Sequence, residues 1–230
     1  MGSSTLAEIA TATSGVLFDF DGPICEVFAG RPAADVAREL SKVVTRHDAT
    51  LGGKSGSIDD PMEILRLATQ GGEPVIRAIE ESLTKAEVLA VKVAGPPVPG
   101  AVAALEAAHS SGRKVAVVSN NSTDCVRAFL MLHGLRHLVH EVIGRAVYRP
   151  DLMKPDPHSL LLAAERLRVQ PHHCTLIGDS VTDVEAARAA GAMSVGFANK
   201  PHKVRALATA GADAVVTDMA TVAAALANFD

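Results

Sequence analysis

The 230-residue sequence has no tryptophan, a single tyrosine, three cysteines and no surplus of positive charge. Proteins that hold single-stranded nucleic acid stack bases on aromatic side chains inside a basic groove. With aromatic residues at 3% and a formal net charge of −4, neither feature is present. The same balance leaves no footprint for phosphate backbones or anionic membrane surfaces. Cys25, Cys125 and Cys174 are widely spaced and lack any C-x-x-C pattern. Their odd number fits reduced thiols in a cytoplasmic protein better than a disulfide framework. No apolar run approaches the length of a membrane span, and Met1 to Thr13 has neither the basic start nor the apolar stretch of an export signal. The Met1-Gly2 opening places Leu6 where a myristoylation signal wants Ser or Thr. The expectation is a cytoplasmic protein that binds neither nucleic acid nor membrane. Its oligomeric state is left open.

What the chain does contain is Ala, Val and Leu, within an apolar fraction of 48%. That composition suits helices packed on a sheet, and the length suits one large α/β domain or a core carrying a smaller insertion. The organising stretch is Gly15-Val16-Leu17-Phe18-Asp19-Phe20-Asp21-Gly22-Pro23. A buried strand ends there in two carboxylates spaced two apart, followed by a glycine that lets the backbone turn. Alternate side chains share a strand face, so Asp19 and Asp21 can both look into one pocket at the carboxyl end, where open parallel sheets bind ligands. The competing reading is a strand followed by an Asp-rich turn.

From Glu26 to Ala94 the pattern is helical, with Val36, Leu40, Val43 and Val44 at helical spacing after Pro32. A loop is expected at Leu51 to Ser57, then helices near Pro61 to Thr69 and from Ile76 through Val88. Gly95-Pro96-Pro97-Val98-Pro99 reads as a stiff, extended connection back to the main domain. Beyond it strands and helices alternate: strands at 114–119, 141–143, 174–178, 194–198 and 214–216, separated by helices. Short β-branched strands between helices call for a parallel sheet covered on both faces. The expected architecture is a Rossmann-like α/β core formed by residues 13–24 and 96–230. A small all-helical cap domain, residues 25–95, is inserted after the first strand.

Polar residues gather at the predicted strand ends. Ser119-Asn120-Asn121 follows the second strand, and Asp179 and Asp183 follow the strand at 174–178. Ser, Asn and Asp before a helix also serve as simple caps. Lys154, ahead of Pro155, has solvation as its ordinary fate. If the four aspartates converge, however, their repulsion calls for cations nearby, and a divalent ion with one lysine would meet that need.

In this order, Asp19-x-Asp21-Gly22, Ser119, Lys154-Pro155 and Gly178-Asp179-x-x-x-Asp183 resemble the four motifs of the haloacid dehalogenase superfamily. The chain is most similar to the branch with a helical cap after the first motif, which includes phosphoglycolate phosphatases and β-phosphoglucomutases. The resemblance implies that Asp19 is the nucleophile, forming an aspartyl-phosphate, and that Asp21 is the acid and then the base. It implies Mg2+ held by Asp19, the Asp21 carbonyl and Asp179, with Asp183 holding the metal's waters or Lys154. Ser119 would then bond a phosphoryl oxygen, with Asn120 and Gly22 beside the substrate, and Lys154 would balance charge. Members that cleave carbon–halogen or carbon–phosphorus bonds lack an Asp at the place of Asp21, which favours phosphate esters. Pro23 departs from the threonine usual in the family and removes a hydroxyl and a backbone donor.

Three functions follow from the resemblance: a magnesium-dependent phosphatase of a small phosphorylated metabolite, a phosphomutase using the same residues, or a non-catalytic phosphate-ligand-binding protein. Lys54 and Arg31 of the cap are candidates to meet the substrate's non-reacting end. Gly53-Lys54-Ser55 imitates the end of a P-loop, but Asp48 stands where the upstream glycine belongs and no strand precedes it. His133, His137 and His140, and the pair His172-His173, read as surface or capping residues, with no cysteine or carboxylate completing a metal set.

Overall fold

The computed structural model describes residues 5–227, so the Met1-Gly2 opening lies outside the described residues. Six strands form one sheet: β1 (Gly15–Asp19), β2 (Lys114–Val118), β3 (Glu141–Ile143), β4 (Cys174–Gly178), β5 (Met193–Phe197) and β6 (Ala214–Val216). All neighbours pair in parallel, in the order β3-β2-β1-β4-β5-β6. Val16 of β1 lies beside Val115 on one side and Thr175 on the other. A parallel sheet is covered on both faces, which is why β1 is apolar and buried along its whole length up to Asp19.

The alternation along β1 divides the core. Val16 and Phe18 face helices α1 (Leu6–Ala12), α6 (Ala101–Ser110), α7 (Thr123–Leu132) and α11 (Met219–Ala227). Leu17 faces α8 (His158–Leu167) and α9 (Val181–Ala190), while α10 (Pro201–Ala210) packs beside α9 at the β6 edge. The fold is the Rossmann-like α/β architecture read from the alternating pattern.

Between β1 and β2 the described chain has no strand. Before α6 it forms α2 (Ala33–His47), α3 (Ala49–Ser55), α4 (Pro61–Ala68) and α5 (Glu73–Val91). Val36, Leu40, Val44, Ile64, Leu65, Ile79 and Leu83 make these helices a separate apolar cluster, joined from the sheet side by Met153. Burying even half a dozen such side chains is worth on the order of 10 kcal/mol, enough to hold four helices that would not persist alone.

Two local expectations are corrected. Residues 51–57 are not a loop: α3 occupies most of them, started by Asp48, whose Oδ1 accepts from Thr50 N and Leu51 N at 2.9 Å. Gly52 and Gly53 disfavour helix intrinsically. However, Gly52 lies so close to Thr45 that an added Cβ would sit 2.4 Å from its Oγ1, and Leu51 and Ser55 are buried. Tertiary packing overrides propensity there. Helix α1 was also not expected; a capping box between Thr5 and Glu8 starts it, and Ile9 and Ala10 bury against the sheet.

Candidate active site

The carboxyl ends of β1, β2 and β4 meet at the centre of the sheet. In this strand order the connections diverge between β1 and β4, which leaves a crevice at their ends. Asp19, the last residue of β1, sits in it at 6% exposure. The chain then turns sharply: the Phe20 carbonyl accepts from Ile24 N and Cys25 N, and Gly22 N donates to Cys25 O at 2.8 Å. Pro23, which has no amide hydrogen, stands inside this turn, whose bonds are made by the amides of Gly22, Ile24 and Cys25. Gly22 is required twice over, by a φ of +108° and because an added Cβ would lie 2.3 Å from Asp179 Cγ.

The turn aims the Asp21 carboxylate so that Oδ1 accepts from Val27 N at 3.0 Å. Burial, only partly offset by that bond, and the neighbouring Asp179 raise its pKa from the ordinary 3.8 to about 6. Asp19 is pushed well above the usual carboxylate range, chiefly by burial and then by Asp183, with Lys154 opposing.

Lys154 is 2% exposed and spans two carboxylates, with Nζ 2.7 Å from Asp19 Oδ1 and 2.5 Å from Asp183 Oδ1. Burial works against its charge, but Asp183 and Asp19 together hold the ammonium above the ordinary lysine range. Its backbone is clamped from two sides. Asn120 accepts from Lys154 N at 2.8 Å and donates to Lys154 O at 3.2 Å, and Arg66 of α4 donates to the same carbonyl. Asn120 therefore lines the crevice while its amide is spent on holding the lysine loop.

Asp183 combines the two readings open at the sequence level. Its Oδ2 accepts from Ser180 N and Oγ in the capping box that starts α9, and its Oδ1 takes Lys154. Asp179 is bonded by Asn199 Nδ2 at 3.2 Å and ion-paired with Lys203 of α10. Burial raises its pKa and Lys203 counters the rise. Neither Asn199 nor Lys203 figures in the sequence reading, yet both follow β5 at the same edge of the sheet as the other strand-end groups.

Ser119, 1% exposed, donates to Asn121 Oδ1 and accepts from Asn121 N. That loop is anchored by α5: Glu87 accepts from Asn121 Nδ2 at 3.2 Å and from Ser122 N at 3.0 Å. Arg145, just after β3, bonds Glu80 at 2.7 Å, Glu87 at 2.8 Å and the Asn120 carbonyl at 2.8 Å. A buried arginine with two buried glutamates thus ties the inserted helix to the loop carrying Ser119, a cluster with no local sequence signal.

The crevice opens into a cavity of about 260 Å³ lined by the four strand-end aspartates, Ser119 and Lys154, with Phe28, Asp60 and Met62 on the insert's side. Lys54 and Arg31 do not line it. Lys54 bonds Gln70 at 3.1 Å, and Arg31 pairs with Glu39 at 2.6 Å and reaches the Ala86 carbonyl. Asp19, Asp179 and Asp183 offer oxygens within 4.8 Å of one another, a set without nitrogen or sulfur that fits a hard divalent cation. The Asp21 carboxylate is outside that group. The imitation P-loop lies at the end of α3, where Ser55 is buried on Ser41. The histidines stand elsewhere: His140 Nδ1 accepts from Val115 N, His133 packs on Phe129, and His172 and His173 pack on each other.

The sheet is doubly wound and parallel, and carboxylates and a buried lysine gather at its central strand ends. The sequence profile of the haloacid dehalogenase-like hydrolases matches residues 13–191, and the chain belongs to that family. Among curated relatives, the phosphoglycolate phosphatase of Rhodospirillum rubrum is 35% identical over 128 residues, 54% of this chain and 50% of that protein. The matched segment thus spans about half the length of that relative. A haloacid dehalogenase family hydrolase from Deinococcus radiodurans R1, solved with bound phosphate and sodium, superposes with a TM-score of 0.61 at 25% identity, covering 94% of this chain and 96% of that one. The fold is shared with β-phosphoglucomutase from Clostridium difficile, at a TM-score of 0.63 and 20% identity over 91% and 92% of the two chains.

Proposed function

We propose that this protein is a Mg2+-dependent phosphatase that hydrolyses a small phosphate monoester through a phosphoryl group carried on Asp19. The observation that carries the reading is the convergence of Asp19 with Lys154, Asp179 and Asp183 beneath a turn that brings Asp21 to the same crevice. Asp19, Asp179 and Asp183 would hold the cation, which supplies positive charge between an anionic nucleophile and an anionic ester.

Lys154 occupies Asp19 Oδ1 and leaves Oδ2 for phosphorus. An Asp19 oxygen forms a bond to phosphorus while the bond to the ester oxygen breaks, and Asp21, protonated, gives its proton to the departing alkoxide. Burial raises the Asp21 pKa to about 6, which favours the protonated form that this step needs. In the second half Asp21 takes a proton from water as the water oxygen bonds phosphorus and the Asp19 oxygen leaves. Inorganic phosphate departs and Asp21 is again protonated. Ser119, oriented by Asn121, would donate to a phosphoryl oxygen. Asn120 acts by fixing Lys154.

Phosphate release from p-nitrophenyl phosphate, measured with magnesium, with chelator and with Asp19→Asn, tests the reading. Release that needs both the metal and Asp19 supports it. Release that persists in chelator or in the variant refutes it.

A further inference from the structure

The insert's share of the cavity surface is apolar with a negative charge. Facing the strand-end aspartates are Phe28, Ala33, Asp60, Pro61 and Met62: four apolar residues and one carboxylate. The insert's cations are engaged elsewhere or lie outside the cavity. Arg31 pairs with Glu39, Arg38 with Asp35, and Arg77 with Glu73, while Lys54 bonds Gln70 and Arg66 bonds the Lys154 carbonyl. Among the described residues the one cation lining the cavity is Lys154, which already bridges two aspartates.

The amino terminus of α4 reaches the cavity, and such a terminus ordinarily welcomes an anion through its free amides. This one is closed. Its first residue, Pro61, has no amide hydrogen, and the next amide, Met62 N, donates to Asp60 Oδ1 at 2.8 Å. A negatively charged side chain stands where an anionic group would have to bind.

Building on the phosphatase reading, we infer that the site takes phosphate monoesters whose alcohol portion is neutral or cationic and discriminates against those bearing a carboxylate or second phosphate, with Asp60 setting the preference. An apolar wall accepts the carbon skeleton, and Asp60 accepts hydrogen bonds from hydroxyl or ammonium groups. A carboxylate there meets repulsion from Asp60 without a compensating cation.

The test uses p-nitrophenyl phosphate turnover as reporter, with 2-aminoethyl phosphate, 2-hydroxyethyl phosphate and 2-phosphoglycolate as competing esters of nearly equal size. Apparent inhibition constants should place 2-phosphoglycolate about tenfold or more weaker than 2-aminoethyl phosphate. Asp60→Asn keeps a good helix cap and removes the charge, and should narrow that ratio by about three- to tenfold. The ratio is taken within each protein, so a general loss of activity does not alter it. Binding of 2-phosphoglycolate as tight as that of 2-aminoethyl phosphate overturns the inference while leaving the phosphatase reading intact. A ratio unchanged in Asp60→Asn overturns the role of Asp60. A silent reporter removes the phosphatase reading itself, and the inference with it.

Discussion

Replacing Arg145 by methionine would leave two carboxylates inside the protein with no cation between them. The Arg145 side chain has no exposed surface, Glu87 has none, and Glu80 retains 5%. The guanidinium also bonds the Asn120 carbonyl and lies 3.3 Å from Thr84 Oγ1. Removing one partner of a buried ion pair costs about 3–5 kcal/mol, because the remaining charge stays desolvated. Here two charges are stranded. Glu87 keeps its bonds from Asn121 and Ser122, which softens the loss on one side. A destabilisation of about 4 kcal/mol is expected, read as a fall in the urea midpoint at constant slope. Arg145→Met combined with Glu80→Gln and Glu87→Gln should recover at least about half of it, since uncharged amides are far cheaper to bury. Should the single variant fail to fold, the triple variant and Glu87→Gln alone still report on the cluster. A loss below about 1 kcal/mol in Arg145→Met, or a triple variant no better than the single, would refute the reasoning.

Gly22→Ala should both destabilise the protein, by about 2–4 kcal/mol on the midpoint of denaturant unfolding, and lower kcat/KM at least about tenfold, because the new methyl must displace Asp179; unchanged kinetics would contradict the placement of Asp179. For Asp21 the folded pKa, about 6, lies above the ordinary 3.8, so its contribution to stability is present below 3.8 and lost as pH rises through 6. In chelator Asp21→Asn should therefore match the parent near pH 4 and exceed it at pH 8 by up to about 3 kcal/mol; identical pH profiles of unfolding would exclude a buried, raised Asp21.

The parts of the fold most legible in the sequence were those governed by short-range patterns. The apolar run ending at Asp19 has the length and composition of a covered parallel strand, and β-branched segments alternating with helices place Asp179 and Asp183 at the same sheet edge. The caps were ambiguous for a physical reason: Asp183 performs both jobs, one carboxylate oxygen starting α9 and the other meeting Lys154. Helix α3 is not legible in the sequence because Gly52 and Gly53 disfavour helix, and only the packing of Gly52 on Thr45 and the burial of Leu51 and Ser55 override that. Helix α1 carries a local signal, Thr5 three residues before Glu8. Lys203, Glu87 and Arg145 had no local signal, since the first meets Asp179 and the others meet across the insert only once the chain is folded. For the same reason Lys54 and Arg31 stood out by charge alone, yet side-chain pairing directs them to Gln70 and Glu39.

No helix among the described residues is long and apolar enough to cross a membrane. A phosphoryl group carried on Asp19 can be trapped chemically. Enzyme quenched in acid during steady turnover of a phosphoryl-labelled ester should carry label on the peptide containing Asp19, released by neutral hydroxylamine and absent from Asp19→Asn. Steady turnover with no labelled protein, or label retained in Asp19→Asn, would contradict a phosphoryl group carried on Asp19.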